Sequence, residues 1–172
     1  LAGFNVSIGS LAGAGTVTNS VATSNTLTAG GDNTSTTFSG VIQDGTGTTG
    51  LTKSGSGTLT LSGANTYSGT TTVSAGTLQI GAGSTAGTLG TGSVTNNSAL
   101  VFNRSNAMTV SNVISGTGSV TQSGSGTTTV SGANTYTGST TVSAGTLKAG
   151  STTAFGSNSA TTVTGTLDLA GF

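Results

Sequence analysis

One seventeen-residue segment occurs twice in this chain, almost letter for letter. "SGANTYSGTTTVSAGTL" fills residues 62–78, and "SGANTYTGSTTVSAGTL" fills residues 131–147. Repeats of this kind are typical of solenoids, in which each unit buries its apolar side by stacking on its neighbours. The duplication therefore predicts a stack of similar coils whose purpose is extension, because a catalytic site is rarely copied within a chain.

A shorter spacing lies inside the long one. Val73 and Val94 occupy similar contexts, and Val142 and Val163 repeat the same spacing in the second half. Both spacings are 21 residues, which predicts one coil of a solenoid. The 172 residues then correspond to roughly eight coils.

Two further spacings define the predicted organisation. "VIQDGTG" at Val41 and "VISGTGS" at Val113 are 72 residues apart, whereas the two seventeen-residue copies are 69 residues apart. The difference indicates a short deletion in a turn of the second copy. We predict internal repeats at about 41–110 and 113–172 within a single solenoid segment, residues 1–172, of a longer chain.

A larger repeat is predicted from four residues. The chain opens with "LAGF" and ends with "LAGF", so that Leu1 and Leu169 are equivalent at a spacing of 168 residues. The segment that begins at Leu169 is then predicted to be the start of another 168-residue unit like the one that begins at Leu1.

Composition separates a disordered linker from an ordered β-structure. The chain has 40 Thr, 26 Ser, 31 Gly and no Pro. A disordered segment would be rich in Pro and charge, whereas Thr and Val favour strands. The absence of Pro also fits a chain made mostly of paired strands. Ordered β-structure is therefore predicted.

Alternation of apolar and polar residues gives the coarse structure. In "TLTL", Leu59 and Leu61 are predicted to face one side and the flanking threonines the other. The same logic places Leu61, Val73 and Leu78 inside and threonine outside, with glycine-rich turns between strands. No useful 3.6-residue period occurs, so no helix is predicted. The predicted fold is an all-β parallel β-helix (β-solenoid) of roughly eight coils.

Charge is almost absent. Six charged residues cancel to zero net charge, and they make up 3% of the chain. No basic patch can form for nucleic acid or for an anionic membrane surface. No stretch approaches the ~18 apolar residues of a membrane helix. Direct membrane insertion and nucleic-acid binding are therefore not expected.

The residues needed for catalysis are scarce. No His or Cys is present, and the acidic residues are Asp32, Asp44 and Asp168. A Ser or Thr nucleophile lacks a base, and glycoside hydrolysis needs two carboxylates close together. Asp32 and Asp44 are close enough in sequence to meet, although solvated turns are the simpler interpretation. We expect no enzyme and no catalytic or cofactor-binding residue.

Two glycine motifs are interpreted as turns. "GTGTTG" at residues 45–50 matches G-x-G-x-x-G but lacks the strand–helix context of a dinucleotide site. "GGDNT" at residues 30–34 breaks the spacing of calcium-binding solenoids and offers one carboxylate. No cofactor and no metal-ligating residue is expected.

The aromatic residues have two interpretations. Tyr67 and Tyr136 are equivalent in the two copies, and each could be a sugar platform on the surface or close the corner of a coil. The corner is favoured. The five phenylalanines are predicted to fill the interior or to cap turns: Phe4, Phe38, Phe102, Phe155 and Phe172.

The segment 55–81 closely resembles the passenger-associated β-strand repeat of bacterial autotransporters. That pattern is a Gly-x-Gly-Thr-Leu-x-Leu strand, a Gly-x-Asn-Thr-Tyr-x-Gly corner and a Thr-x-Val-x-x-Gly-x-Leu strand. The second copy departs from it at Thr128 and Val130, where the first has leucines. The matching residues are Gly55, Gly57, Thr58, Leu59, Leu61, Gly63, Asn65, Thr66, Tyr67, Gly69, Thr71, Val73, Gly76 and Leu78.

The resemblance implies a right-handed parallel β-helix that a Gram-negative cell exports by type V secretion. It implies a structural, stalk-like segment of a secreted or cell-surface adhesin, mediating projection, adhesion or aggregation. Expected partners are a host or neighbouring cell surface, or other copies through the solenoid ends or the Thr/Ser/Asn faces. The alternative is a segment of a self-assembling extracellular fibre or surface-layer subunit, because uncapped solenoid ends expose unpaired strands.

Overall fold

The computed structural model describes residues 1–157 and 159–172, and no helix occurs among them. Short strands of two to five residues alternate with corners, as expected where β-branched residues are separated by glycine-rich turns. The strands are β1 Val6–Ile8, β2 Thr16–Val17, β3 Asn25–Ala29, β4 Thr36–Phe38, β5 Val41–Ile42, β6 Thr49–Lys53, β7 Thr58–Leu61, β8 Thr71–Val73, β9 Thr77–Ile80, β10 Val94–Asn96, β11 Ala99–Phe102, β12 Met108–Val110, β13 Ile114–Ser115, β14 Ser119–Gln122, β15 Thr127–Val130, β16 Thr140–Val142, β17 Thr146–Ala149, β18 Thr161–Val163 and β19 Thr166–Asp168.

The strands stack into three faces. The first face contains β1, β3, β6, β8, β10 and β13, and the second contains β4, β7, β9, β11, β14, β16 and β18. The third face contains β2 and β5 at one end and β12, β15, β17 and β19 at the other. All strand pairs in the described residues are parallel. The predicted β-solenoid of about eight coils is confirmed.

Coil length varies along the stack. The predicted one-coil spacing is confirmed for Val142, which pairs with Val163. It is wrong for the first half, because Val73 pairs with Asn96 and Val94 pairs with Thr71. The buried inner row fixes the strand register, while the corner loops absorb the additional residues. Sequence similarity between two coils therefore does not by itself give their register.

The core consists of inward-facing rows. On the first face one row is Val6, Leu27, Leu51, Thr71, Val94 and Ile114, each stacked on the next. Leu61, Val73 and Leu78 are buried as predicted. The prediction that threonine faces outward is wrong for several buried threonines, and two of these are Thr71 and Thr140. Their hydroxyl groups face into the core because a buried tyrosine bonds each of them.

The two seventeen-residue copies lie on different faces. β8 belongs to the first face, whereas its equivalent β16 belongs to the second. β9 belongs to the second face, whereas its equivalent β17 belongs to the third. The offset between the two copies therefore corresponds to three complete coils plus one face. The three faces are similar enough to accept the same sequence.

Candidate functional site

The asparagine of each "GANTY" corner joins three successive coils. The Asn65 side-chain carbonyl accepts a hydrogen bond from the Ile42 N–H at 2.8 Å, and its amide group donates to the Thr88 carbonyl at 2.8 Å. Asn65 is almost fully buried, so these bonds satisfy backbone groups that water does not reach. The corner therefore binds its own coil to those before and after it.

The second corner repeats these bonds. The Asn134 side chain accepts from the Ile114 N–H at 2.7 Å and donates to the Ala154 carbonyl at 2.6 Å. The preceding glycine is required by close packing, because a Cβ at Gly132 would lie 2.0 Å from the Asn112 carbonyl oxygen.

Both tyrosines close these corners from inside. The Tyr67 and Thr71 hydroxyl groups are 2.8 Å apart, and those of Tyr136 and Thr140 are 2.7 Å apart. Burial raises the pKa of both tyrosines. The corner interpretation is confirmed. The alternative of a surface sugar platform is wrong, because 0% of Tyr67 and 1% of Tyr136 is exposed.

Lys53 is a fully buried cation that the sequence reasoning missed. Its ammonium group donates to the carbonyls of Gly55 at 2.8 Å and Ala75 at 3.2 Å, and also to that of Ser54. Burial lowers the pKa of Lys53. The missed signal is strand alternation, since counting from Leu51 places Lys53 on the inward side.

The equivalent position in the second copy is Gln122, which is also fully buried. Its amide group donates to the carbonyls of Gly124 at 2.8 Å and Gly126 at 3.2 Å. Its side-chain oxygen accepts from the Thr128 hydroxyl at 2.7 Å. Thr128 replaces Leu59 of the first copy, which explains this departure from the repeat pattern. A glutamine has an acceptor that needs a partner, whereas a lysine has none.

Asp32 and Asp44 lie at different corners, Asp32 after a first-face strand and Asp44 after a third-face strand. Asp32 accepts from the backbone and hydroxyl of Thr34, and these bonds lower its pKa. Burial alone would raise the pKa of Asp44, but hydrogen bonds from Ser68 and Thr49 lower it overall. Asp32 thus holds its own turn, and Asp44 holds its turn and joins it to Ser68 of the next coil.

The third aspartate belongs to a surface ion pair. Asp168 stacks one coil above Lys148, with 3.3 Å between the carboxylate oxygen and the ammonium nitrogen. A hydrogen bond from the Ala170 N–H and the nearby Lys148 lower the pKa of Asp168.

The glycine motifs lie in corners. Residues 45–48 precede β6, whose first two residues complete the motif, and no helix follows. A Cβ at Gly47 would lie 2.0 Å from the Val21 carbonyl oxygen. The described residues contain no cluster of three or more His, Cys, Asp or Glu side chains. Within the same residues, no helix has the length and apolar character needed to cross a membrane.

Arg104 holds the longest connection between strands, residues 81–93 between β9 and β10. Its guanidinium group donates to the Gly87 carbonyl at 3.0 Å and to the Asn106 side chain at 2.9 and 3.0 Å, and also to the Thr85 carbonyl. This connection and the corner at residues 62–70 lie where the third face has no strand between β5 and β12. A shallow groove there is lined by Asn65, Leu89, Arg104, Met108 and Asn112.

The predictions for phenylalanine are only partly correct. Phe38 and Phe102 are buried in the core, and Phe155 packs against it. Phe4 and Phe172 are mostly exposed, since each follows a turn at one end of the solenoid.

Hydroxyl groups form a continuous outward row on the first face. Each residue pairs with the next across six successive coils. With ~4.8 Å between neighbouring strands, the row presents an evenly spaced, uncharged surface. Its members are Ser7, Thr28, Thr52, Thr72, Thr95 and Ser115.

The family comparison matches both corners together with their flanking strands. The model of the passenger-associated-transport repeat matches residues 51–80 and 120–149. Each of the two matched segments is therefore similar to a passenger-associated-transport repeat. These repeats and the β-solenoid fit a segment of an autotransporter passenger, which implies a secreted or surface-exposed bacterial protein. No curated protein and no solved structure matches the chain.

Proposed function

We propose that this segment is a spacer in the stalk of a cell-surface adhesin of a Gram-negative bacterium, and that it has no enzymatic activity. The observation that supports this is the use of its buried polar groups. Four buried polar side chains form hydrogen bonds that join neighbouring turns or coils: Asn65, Asn134, Lys53 and Gln122. Eight coils at ~4.8 Å extend a stalk by about 40 Å.

We further propose that the outward hydroxyl row is the adhesive surface, toward a host surface, a neighbouring cell or another copy. Individual hydrogen bonds across such a row are weak in water. Many bonds formed together by a long, rigid row produce avidity without a binding pocket.

The adhesive role is tested with the chain coupled to beads. Bead aggregation and bead attachment to cultured host cells are measured for the unchanged chain and for T52V/T72V/T95V, which lacks three outward hydroxyl groups. The matched control is T52S/T72S/T95S, which retains them. We expect the valine variant to lose most of its adhesion and the serine variant to keep it. Equal adhesion of all three proteins would contradict the adhesive role of this face.

A further inference from the structure

The two ends of the solenoid carry the same turn. Residues 1–4 and 169–172 are both "LAGF", and in each the phenylalanine N–H donates to the leucine carbonyl, at 3.1 and 3.0 Å. The alanine and glycine have φ angles of 50° and 83° in the first turn and 54° and 86° in the second. A left-handed alanine costs about 1–2 kcal/mol, so its occurrence in both turns marks a shared structural requirement.

The first turn rests on the following coil. Its Leu1 amino group donates to the Thr18 carbonyl, and its Gly3 N–H donates to the Asn19 side-chain oxygen at 3.1 Å. A Cβ at Gly3 would lie 3.3 Å from the Val21 Cβ, so the turn packs closely. We call residues 18–21 the ledge. Asn19 of the ledge is fully buried beneath the turn.

The C-terminal coil, which ends in the second turn, has exposed apolar side chains. Leu169 is 53% exposed, Phe172 62%, and Val163 of β18 45%. In the described residues β18 pairs with β16 and β19 pairs with β17, so each has one partner strand. Unpaired edges next to exposed apolar residues are surfaces on which a further coil can stack.

Both turns lie at the same position around the solenoid axis, between the third face and the first face. The turn at 169–172 follows β19 of the third face, and the turn at 1–4 precedes β1 of the first face. The chain passes through the faces in the order first, second, third. The offset from Leu1 to Leu169 therefore spans a whole number of coils, whereas the offset between the two seventeen-residue copies shifts the chain by one face.

We propose that a second copy of this sequence that lacks its own residues 1–4, as in a tandem repeat, continues the solenoid from the C-terminal end. Residues 169–172 of one copy then occupy the place of residues 1–4 in the next, on the ledge of that copy. The first-face strand β1 of the second copy follows directly, so all three faces continue without a break. This inference goes beyond the adhesive role and does not depend on it.

Four versions of the chain test this junction by sedimentation equilibrium. In the full chain residues 1–4 fill the ledge, so we expect a monomer. Removal of residues 1–4 frees the ledge for residues 169–172 of another copy, so we expect head-to-tail oligomers. Removal of both turns, or G171V in the chain that lacks residues 1–4, should restore the monomer, since valine does not tolerate the left-handed φ of Gly171. A folded monomer after removal of residues 1–4 alone, or oligomers that persist without residues 169–172, would overturn the proposal.

A covalent tandem provides an independent measurement if the shortened chain does not fold. Residues 1–168 are joined directly to residues 1–172, and the control carries a flexible Gly/Ser linker at the junction. We expect the direct tandem to unfold in one transition, with a larger denaturant dependence and a higher midpoint than the single chain. The linker control should unfold at the midpoint of the single chain. If the direct tandem unfolds at that same midpoint, the second copy does not continue the solenoid.

Discussion

Residues 51–80 and 120–149 form the same strand–corner–strand unit on different faces of the solenoid. Their asparagines and tyrosines make the same contacts at nearly equal distances. Their buried polar groups differ, since Lys53 of the first repeat is replaced by the Gln122–Thr128 pair of the second. The corner is thus the constant part of the repeat, whereas the two strands before it differ in their buried polar groups, and in each copy those groups are hydrogen-bonded.

The largest effect is expected at the constant part. N65A and N134A each leave a buried N–H and a buried carbonyl without partners, at a cost of about 1–3 kcal/mol per group. We expect each variant to lose about 3 kcal/mol in the free energy of unfolding, measured by urea denaturation. A large difference between the two losses would show that the corners are not equivalent.

The buried pair of the second repeat should show a specific coupling. T128V retains the shape of threonine but removes the donor to Gln122, so we expect a loss of about 1–2 kcal/mol. In the Q122K background, which reproduces the lysine of the first repeat, no acceptor needs that donor. A double-mutant cycle should therefore give a coupling free energy of about 1 kcal/mol. Additive effects would contradict the paired role of these two residues.

Removal of the tyrosine hydroxyl group should destabilise the two corners by different amounts. Y67F removes the only hydroxyl partner described for Thr71, and we expect a loss of about 1 kcal/mol. Y136F should cost less, because the Thr140 hydroxyl also lies 2.9 Å from that of Ser159. Thermal unfolding of both variants measures the difference, and a larger loss for Y136F would contradict this explanation.

The smallest effect concerns the alkaline pH dependence of the first repeat. Since burial lowers the pKa of folded Lys53, the folded chain releases this proton at a lower pH than the unfolded chain. Between the two pKa values the unfolded state binds more protons, so stability rises with pH toward about 10.4, the usual pKa of lysine.

This dependence is measured as the stability of the unchanged chain relative to K53Q, from about pH 8 to pH 10. Both proteins contain Tyr67 and Tyr136, whose contributions cancel in the difference. The difference should increase with pH in favour of the unchanged chain. A constant difference would indicate that the ammonium group keeps its ordinary pKa in the folded protein.

The sequence was sufficient to predict the strand–corner–strand unit. Alternation placed Leu61, Val73 and Leu78 in the core, and the copied "NTY" corner predicted that both tyrosines close a coil. It also predicted the number of coils and the absence of helix, because strand period and glycine-rich turns are local properties. The inward position of Lys53 was equally available from alternation, although a charged residue is not normally expected in a core.

Only the tertiary structure decided how the units are arranged around the axis. Val73 pairs with Asn96 and not with Val94, and β8 and β16 lie on different faces. Three similar faces accept the same strand sequence, so local pattern does not specify which face a strand joins. The face and the register depend on how many residues every preceding corner takes up, and that length is set by packing between coils, as at Arg104 and Asn65.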